Sequence, residues 1–525
     1  MARSVGVPAG RAPAAARSGH GRVLAVITAV LFLTFLDNTI VSVALGSVQA
    51  DLHAGVSALQ WVVSAYALTF AGAMLGFGMV GDEFGRKRVL LIGVSIFCAG
   101  SVLAALAPNI GLVIAGRAVM GFGAAASEPG TLSMLRHVYT EERSRTRALG
   151  VWAAVSGLAL AVGPVVGGAL VGVWSWRAIF WFNVAFGLAV LVAGLIVLPE
   201  SSDPDAHRVD IPGTVLGAAA LTAFVFAVIG GEDSGFTAPS VLLLLGLSVA
   251  AAAAFFWWES RAAHPLLDLK FLRMPSFLTA NVVAFCAYFA TFAVFFFTAL
   301  YLAEVVGDNG YQIALDFLPM AVLMIAASLL AGRWTDPTAP RWSIFIGCLV
   351  FGAGLLLTTI TLSPDPSYAP LAAALALTGI GIGMTVVPIT SAALSAVPPA
   401  RSGMAASATN TSREIGAVTG VAILGALVNA QLRSSLTSRL KHLGIPPNFQ
   451  SIVIHAVETG GVPSSGKTQG AGGAAGAGQG ALVQEVIHAA YSAFYSGLRA
   501  ALVLAAILVL AAGVFTFAWL PRARS

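Results

Sequence analysis

Apolar segments long enough to cross a membrane follow one another along almost the whole chain. Each is close to the roughly 20 residues that a helix needs to span the ~30 Å hydrocarbon core of a bilayer. Of the 525 residues, 58% are hydrophobic and only 10% are charged, a balance that water-soluble domains do not have. The sequence therefore predicts an all-α, polytopic membrane protein with about fourteen spans, at residues 23–47, 58–80, 89–107, 110–135, 146–172, 176–198, 211–230, 239–258, 277–303, 312–334, 342–362, 368–397, 404–430 and 494–520.

Lysine and arginine residues are concentrated at both chain ends and in alternate loops, such as the one holding Arg86, Lys87 and Arg88. The intervening short loops hold almost none, Arg177 being the exception. Because positively charged loops stay in the cytoplasm, we expect a multi-pass protein of the cell membrane with both termini cytoplasmic. The net charge of +5 is thus explained by topology, and we expect no nucleic-acid partner.

The spans and loops suggest four parts. A tail at 1–22 precedes a six-helix bundle at 23–198, and two linker transmembrane helices at 199–260 separate it from a second six-helix bundle at 261–525. The second bundle includes a long external loop at 432–490, with a Gly/Ala linker in its middle and short surface helices expected at 449–457 and 481–490. The three cysteines lie in apolar runs, so we predict neither a disulfide framework nor a metal site.

One apolar run carries four glycines and a proline: Gly157, Gly163, Pro164, Gly167 and Gly168. In water this composition would break a helix, but in a bilayer the helix persists because its backbone groups have no water to bind. Small residues let a neighbouring helix approach to backbone contact. The run is either a tight packing seam or a bending, leak-proof seam between two moving halves of a transporter.

This run resembles the antiporter signature of the major facilitator superfamily, and more narrowly that of its drug:proton antiporters with fourteen spans. The loop after the second span resembles the family's gating loop, which latches the halves together, although Glu83 stands where a basic residue is usual; its matching residues are Gly78, Asp82, Gly85 and Arg86. The resemblance covers the chain apart from the tail and the long loop. It implies a major facilitator fold, two six-helix bundles plus two extra central helices, with substrate held between the halves near the midplane.

Two charged residues lie deep inside neighbouring spans. Asp37, in a segment that resembles the family's first-span motif, lies about 21 Å from the cytoplasmic end at 1.5 Å per residue. Arg117 enters from the opposite side and reaches a similar depth, so the two side chains are plausible partners. Burial disfavours a charged carboxylate and a guanidinium favours it. A movement that changes this balance would load or release a proton; the alternative is a static pair that only orders the helices.

Three further acids are candidate sites for protons or substrate: Glu128, Asp316 and Glu414. Glu128 follows Arg117 by three helical turns, so it would line the same cavity; it would bind a proton or a cationic drug, or else brace Arg86 at the inner gate. Asp316 lies near the outer interface, where acids are usually only solvated. Glu414 belongs to a segment that resembles the family's thirteenth-span motif, and Arg413 beside it points about 100° away.

These patterns predict a proton-coupled antiporter that exports hydrophobic, cationic drugs or antibiotics by alternating access. It would act as a monomer in the lipid bilayer, need no cofactor beyond the proton gradient, and not be an enzyme. Two alternatives stay open: a dedicated exporter of one self-made antibiotic or metabolite, and a membrane sensor that moves no solute.

Overall fold

A computed structural model describes residues 14–520 except 203–209, 264, 267–268, 335–339, 364–365, 398–401, 443–444, 447–449 and 451–476. Fourteen helices in this part of the chain are long and apolar enough to cross a membrane, as the sequence predicts. They are α1 Ala14–Ile40, α2 Val56–Phe84, α3 Arg86–Ala105, α4 Ile110–Val138, α5 Glu142–Val173, α6 Arg177–Val197, α7 Ile211–Ser234, α8 Pro239–Glu259, α9 Pro275–Ala293, α10 Gly310–Trp334, α11 Arg341–Thr361, α12 Tyr368–Ser395, α13 Ser402–His442 and α14 Ala477–Trp519.

Successive helices run in opposite directions, so the start of α1 and the end of α14 lie on one side, which we call the inner side. The division of the chain at 23–198 and 261–525 stays a prediction, and we use the names N-half and C-half for these two ranges. Helix α1 begins at Ala14, inside the predicted tail; residues 1–13 lie outside the described residues. Within each half the helices bury glycines and alanines against neighbouring backbones. In a bilayer the hydrophobic effect does not drive helices together, so their association depends on this close packing of small residues.

Both α1 and α9 become irregular in their outer parts, where they contact each other. Helix α1 passes through a 3₁₀ turn at Ser42–Ala44 before it continues to Leu52. Helix α9 continues through two π-helical turns, Val294–Thr298 and Leu302–Val306. Gly46 packs directly against Ala303 at this level. The irregular segments therefore form one outer contact between the N-half and the C-half.

Helix α7 lies in the groove between the halves on the outer side. Its residues Val225, Val228 and Ile229 are buried against α2 and α13. Nearer the inner side it also packs on α2, where Gly72 and Gly76 face its residues Ala218 and Thr214. Helix α8 packs on α7 and is otherwise mostly exposed.

The predicted external loop is shorter than its sequence suggests. Helix α13 continues to His442, ten residues beyond the expected boundary at Leu432, because Leu432, Leu436 and Leu440 form an apolar stripe that is buried. The segment 481–490 belongs to the continuous helix α14 and is not a separate surface helix. The helix expected at 449–457 falls almost entirely outside the described residues.

Candidate functional site

Asp37 on α1 is fully buried and is held by two side chains of the N-half. Arg117 on α4 forms an ion pair with its Oδ2, as the matched depths predict. Asn183 on α6 donates from Nδ2 to Oδ1 at 2.6 Å. Arg117 also donates to the Val62 carbonyl at 2.9 Å and lies over the Tyr66 ring. The carboxylate and guanidinium thus share a buried pocket in which each charge has a partner, as burial of charge requires.

Asn183 is the residue of this site that sequence reasoning missed. It stands in the apolar helix α6 and its side chain is completely buried. A buried amide must find hydrogen-bond partners, so its presence in that run was a usable signal. Its Oδ1 has no hydrogen-bond partner among the described residues.

Glu128 lies deeper toward the inner side of α4, and it contacts the C-half. Asn410 on α13 donates from Nδ2 to its Oε1 at 2.6 Å. Arg86, which Glu128 would have braced in the other interpretation, binds Asp82 at 2.7 Å instead. The structure therefore brings Glu128 to the contact between the two halves and not to the gating loop.

Glu414 mirrors this arrangement from the C-half. Asn38 on α1 donates from Nδ2 to its Oε1 at 3.2 Å. Arg413, its neighbour in the sequence, turns away as expected: it donates to Asn410 Oδ1 at 3.0 Å and to the Thr390 hydroxyl. Its guanidinium also faces the Tyr288 ring at 5.3 Å. Neither Glu128 nor Glu414 forms an ion pair within the described part of the chain.

The gating loop turns at Gly85, whose φ of +103° favours a residue without a Cβ. Its charged residues interact locally, since Arg86 Nε donates to Asp82 Oδ1. The loop is also tied to the end of α6: Glu200 Oε1 accepts from the Lys87 backbone N–H at 3.2 Å, at the start of α3. Glu200 therefore lies at the N-terminus of α3. A carboxylate there is favoured by the helix dipole.

The glycine run of α5 faces two different neighbours. A Cβ at Gly163 or Gly167 would collide with α1, within the N-half. A Cβ at Gly168 would collide with α10, in the C-half, and Gly157 lies within ordinary contact distance of Ser328 on the same helix. The seam between halves is therefore formed by Gly157 and Gly168, whereas Gly163 and Gly167 pack the N-half internally.

Pro164 explains a further contact of α1. A proline has no N–H to donate to the carbonyl four residues earlier, which here is that of Leu160. Thr39 supplies the missing bond, donating from its hydroxyl to the Leu160 carbonyl at 3.0 Å. Thr39 thereby connects the residues next to Asp37 to the glycine run.

Asp316 lies on α10 near the outer side, away from the three buried carboxylates. It shares a side-chain hydrogen bond with Asp308, in the loop before α10. Burial raises the pKa of Asp308, and the hydrogen bond with Asp316 lowers it. Asp308 and Asp316 therefore form an acidic pair that is separate from the three buried carboxylates.

A helical bundle that buries charged side chains between two groups of membrane-crossing helices is typical of secondary transporters. The chain belongs to the major facilitator superfamily, because the family model described as Major Facilitator Superfamily matches residues 27–421. It is accordingly a multi-pass membrane transporter and not an enzyme.

Relatives with similar sequences are resistance and efflux proteins. The multidrug resistance protein Stp of Mycobacterium tuberculosis is 33% identical over 81% of this chain and 78% of its own length. The methylenomycin A resistance protein of Bacillus subtilis is 33% identical over 78% of this chain and 87% of its own. The multidrug efflux pump LfrA of Mycolicibacterium smegmatis is 30% identical over 93% of this chain and 94% of its own.

Solved structures support the fold. A bacterial homologue of the human lysosomal transporter Spinster, crystallised inward-facing and unoccupied, has a TM-score of 0.64 at 16% identity and covers 97% of both chains. The human organic anion transporter MFSD10 has a TM-score of 0.56 at 14% identity, covering 78% of this chain and 94% of its own. At these identities the likeness establishes the fold alone.

Proposed function

We propose that the protein is a proton-coupled antiporter that exports hydrophobic, cationic drugs or antibiotics by alternating access. The names of the relatives support drug export. The observation that carries the proton coupling is the buried contact of Asp37 with Arg117 and Asn183. A charged carboxylate inside a membrane transporter is costly and is usually functional.

The contacts of Asp37 suggest how a proton would be coupled to movement. A proton on Asp37 removes the charge that Arg117 neutralises, so the ion pair loses most of its attraction. Arg117 would then depend on the Val62 carbonyl and the Tyr66 ring, both on α2. Protonation would thereby loosen α1 from α4 while α4 stays bound to α2, which allows α1 to shift within the N-half.

The substitution Asp37→Asn tests this role, because it keeps the size and hydrogen bonding of the side chain but cannot exchange a proton. We expect it to abolish efflux from proteoliposomes under an imposed pH gradient and drug-induced proton movement, while drug binding is partly retained. The exposed acid Glu141 offers a control, and Glu141→Gln should pump normally. If Asp37→Asn pumps at the wild-type rate, the coupling site lies elsewhere.

A narrower function is the runner-up. The methylenomycin A relative is named for resistance to a single antibiotic, which favours a dedicated exporter of one antibiotic or metabolite as the second candidate. A susceptibility screen of cells with and without the protein separates the two: resistance to chemically unrelated compounds supports multidrug export, and resistance to one compound supports the dedicated exporter. A purified protein that moves no tested solute would favour the membrane sensor.

A further inference from the structure

Two hydrogen bonds of the same kind cross between the N-half and the C-half. Asn38 of the N-half donates to Glu414 of the C-half, and Asn410 of the C-half donates to Glu128 of the N-half. Each half thus supplies one amide and one carboxylate. Asn410 and Glu414 are four residues apart, so both lie on the face of α13 that contacts the N-half.

The two carboxylates are incompletely satisfied. Glu128 and Glu414 are each 1% exposed, and the second oxygen of each, Oε2, has no hydrogen-bond partner in the described part of the protein. A buried carboxylate is normally paired with a positive charge. Among the described residues each is bound by a neutral amide, and the nearby guanidinium of Arg413 donates to Asn410 and Thr390 instead.

Aromatic side chains stand beside this pair. Tyr66 and Tyr288 are 0% and 1% exposed. Both interact electrostatically with Glu128 and Glu414. The Tyr288 hydroxyl has no hydrogen-bond partner among the residues that the structure describes. Aromatic rings with nearby carboxylates are the chemistry that binds organic cations.

We propose that Glu128 and Glu414 form a paired anionic subsite that binds one organic cation between the halves, and that Asn38 and Asn410 occupy this subsite while it is empty. This inference rests on the proposed export function and names its cation-binding residues. With one nearby guanidinium against two carboxylates, the subsite has a net charge of −1 when both are ionised, which matches a monovalent cation.

The position of Asn38 connects the subsite to the proton site. A cation that displaces the Asn38 amide from Glu414 frees the segment of α1 that carries the adjacent Asp37. Substrate binding would then remove a contact between halves and release the helix whose carboxylate exchanges the proton. The same displacement at Glu128 frees Asn410, which is the acceptor of Arg413.

Equilibrium binding of tetraphenylphosphonium to the purified full-length protein in nanodiscs at pH 8.5 tests the subsite. Triphenylphosphine oxide serves as a neutral probe of similar shape. We expect Glu128→Gln and Glu414→Gln each to weaken tetraphenylphosphonium binding at least tenfold and the double variant to abolish it, with affinity for the neutral probe unchanged within twofold. Retained binding of the neutral probe also shows that the variants are folded. Glu141→Gln is the control for removal of an exposed charge.

Removing the two asparagine amides distinguishes the proposed subsite from a purely structural role of these hydrogen bonds. Asn38→Ala and Asn410→Ala should each tighten tetraphenylphosphonium binding severalfold, because the cation no longer has to displace an amide. A purely structural role of the two hydrogen bonds predicts the opposite, a loss of affinity for both probes, and that result would overturn the proposal. So would a double glutamine variant that binds tetraphenylphosphonium within twofold of wild type, or a wild-type protein that does not bind it.

Export assays on the same variants keep the two proposals distinguishable. If the binding pattern is as expected but proteoliposomes show no efflux driven by a pH gradient, the subsite stands and the antiport function is wrong. If wild-type proteoliposomes export tetraphenylphosphonium and the double glutamine variant exports it equally well, the antiport function stands and the subsite is wrong.

Discussion

The surroundings of Asp37 suit either protonation state of this residue. Arg117 pairs with the charged carboxylate, and so does the Nδ2 group of Asn183. An amide is both a donor and an acceptor, and the Asn183 Oδ1 atom is buried without a partner among the described residues. Once Asp37 holds a proton, that oxygen can accept it in a hydrogen bond after the amide rotates.

This arrangement predicts that Asn183→Leu impairs transport without preventing folding. The variant removes a hydrogen bond to a charged group, worth about 1.5–3 kcal/mol, which corresponds to roughly a tenfold or greater fall in the rate of pH-driven efflux. Drug binding should be nearly unchanged, since Asn183 does not reach the contact between the halves. The matched control is Trp181→Leu, on the exposed face of the same helix; equal losses in both variants would refute the role of Asn183.

The sequence predicts how deep a side chain lies in the membrane far better than which neighbouring helix that side chain faces. Counting residues from each end places Asp37 and Arg117 at one level, and the ion pair follows if their helices are neighbours. The same counting places Glu128 below Arg117 but gives no reason to pair it with Asn410, which is more than 280 residues away. That contact depends on how the N-half and C-half meet, which no local pattern encodes.

At the scale of helices, α5 joins the surroundings of Asp37 to the contact between the halves. Its Leu160 carbonyl, left without an intrahelical donor by Pro164, is bound by Thr39 of α1. About one turn after Gly163, Gly167 faces α1 and the next residue, Gly168, faces α10. In the proposed mechanism, a movement of α1 that follows protonation of Asp37 would therefore reach α10 through one helix.

Thr39→Val should destabilise the protein, because it leaves the Leu160 carbonyl unsatisfied in a bilayer. We expect a loss of about 1–2 kcal/mol, visible as a lower melting temperature of the purified protein. Thr28→Val is the control, since the Thr28 hydroxyl donates to carbonyls of its own helix, at Leu24 and Ala25. A Thr39 variant as stable as the Thr28 variant would contradict this account.

Leucine substitutions along α5 should separate the two faces of its glycine run. Gly163→Leu should block transport while the protein still inserts, because its side chain would hold α5 away from α1. Gly168→Leu should also block transport, by preventing α5 and α10 from closing on the outer side. Gly150, which has no other atoms within 4 Å of an added Cβ, is the control; if Gly163→Leu exports as well as Gly150→Leu, the glycines provide only packing.

At the scale of the whole molecule, the structure is closed on its outer side. Contacts between the halves there include Gly46 against Ala303, Gly168 against α10, and Gly425 against Gln60. Helix α7 adds another, because its outer part lies between α2 and α13. Opening toward the outside must therefore pull α13 away from α7, which is bound more extensively to α2.

The topology can be tested with cysteine reagents. The native cysteines Cys98, Cys286 and Cys348 are all buried, so single introduced cysteines should dominate the labelling. We expect Ser438→Cys, exposed on the outer end of α13, to react with an impermeant maleimide in intact cells. Ser260→Cys, exposed at the inner end of α8, should react only after lysis. The reverse pattern would place both termini outside the cell.

The extensions of α13 and α14 have a practical consequence for imaging. These helices contain 41 and 43 residues, so each is about 60–65 Å long at 1.5 Å per residue, roughly twice the hydrocarbon thickness of a bilayer. Because the leucines at 432, 436 and 440 are buried, the outer part of α13 is held by packing. Small transporters are difficult to align in electron micrographs because the surrounding micelle hides them. Here the outer ends of α13 and α14 should extend beyond the micelle and help to align the particle images.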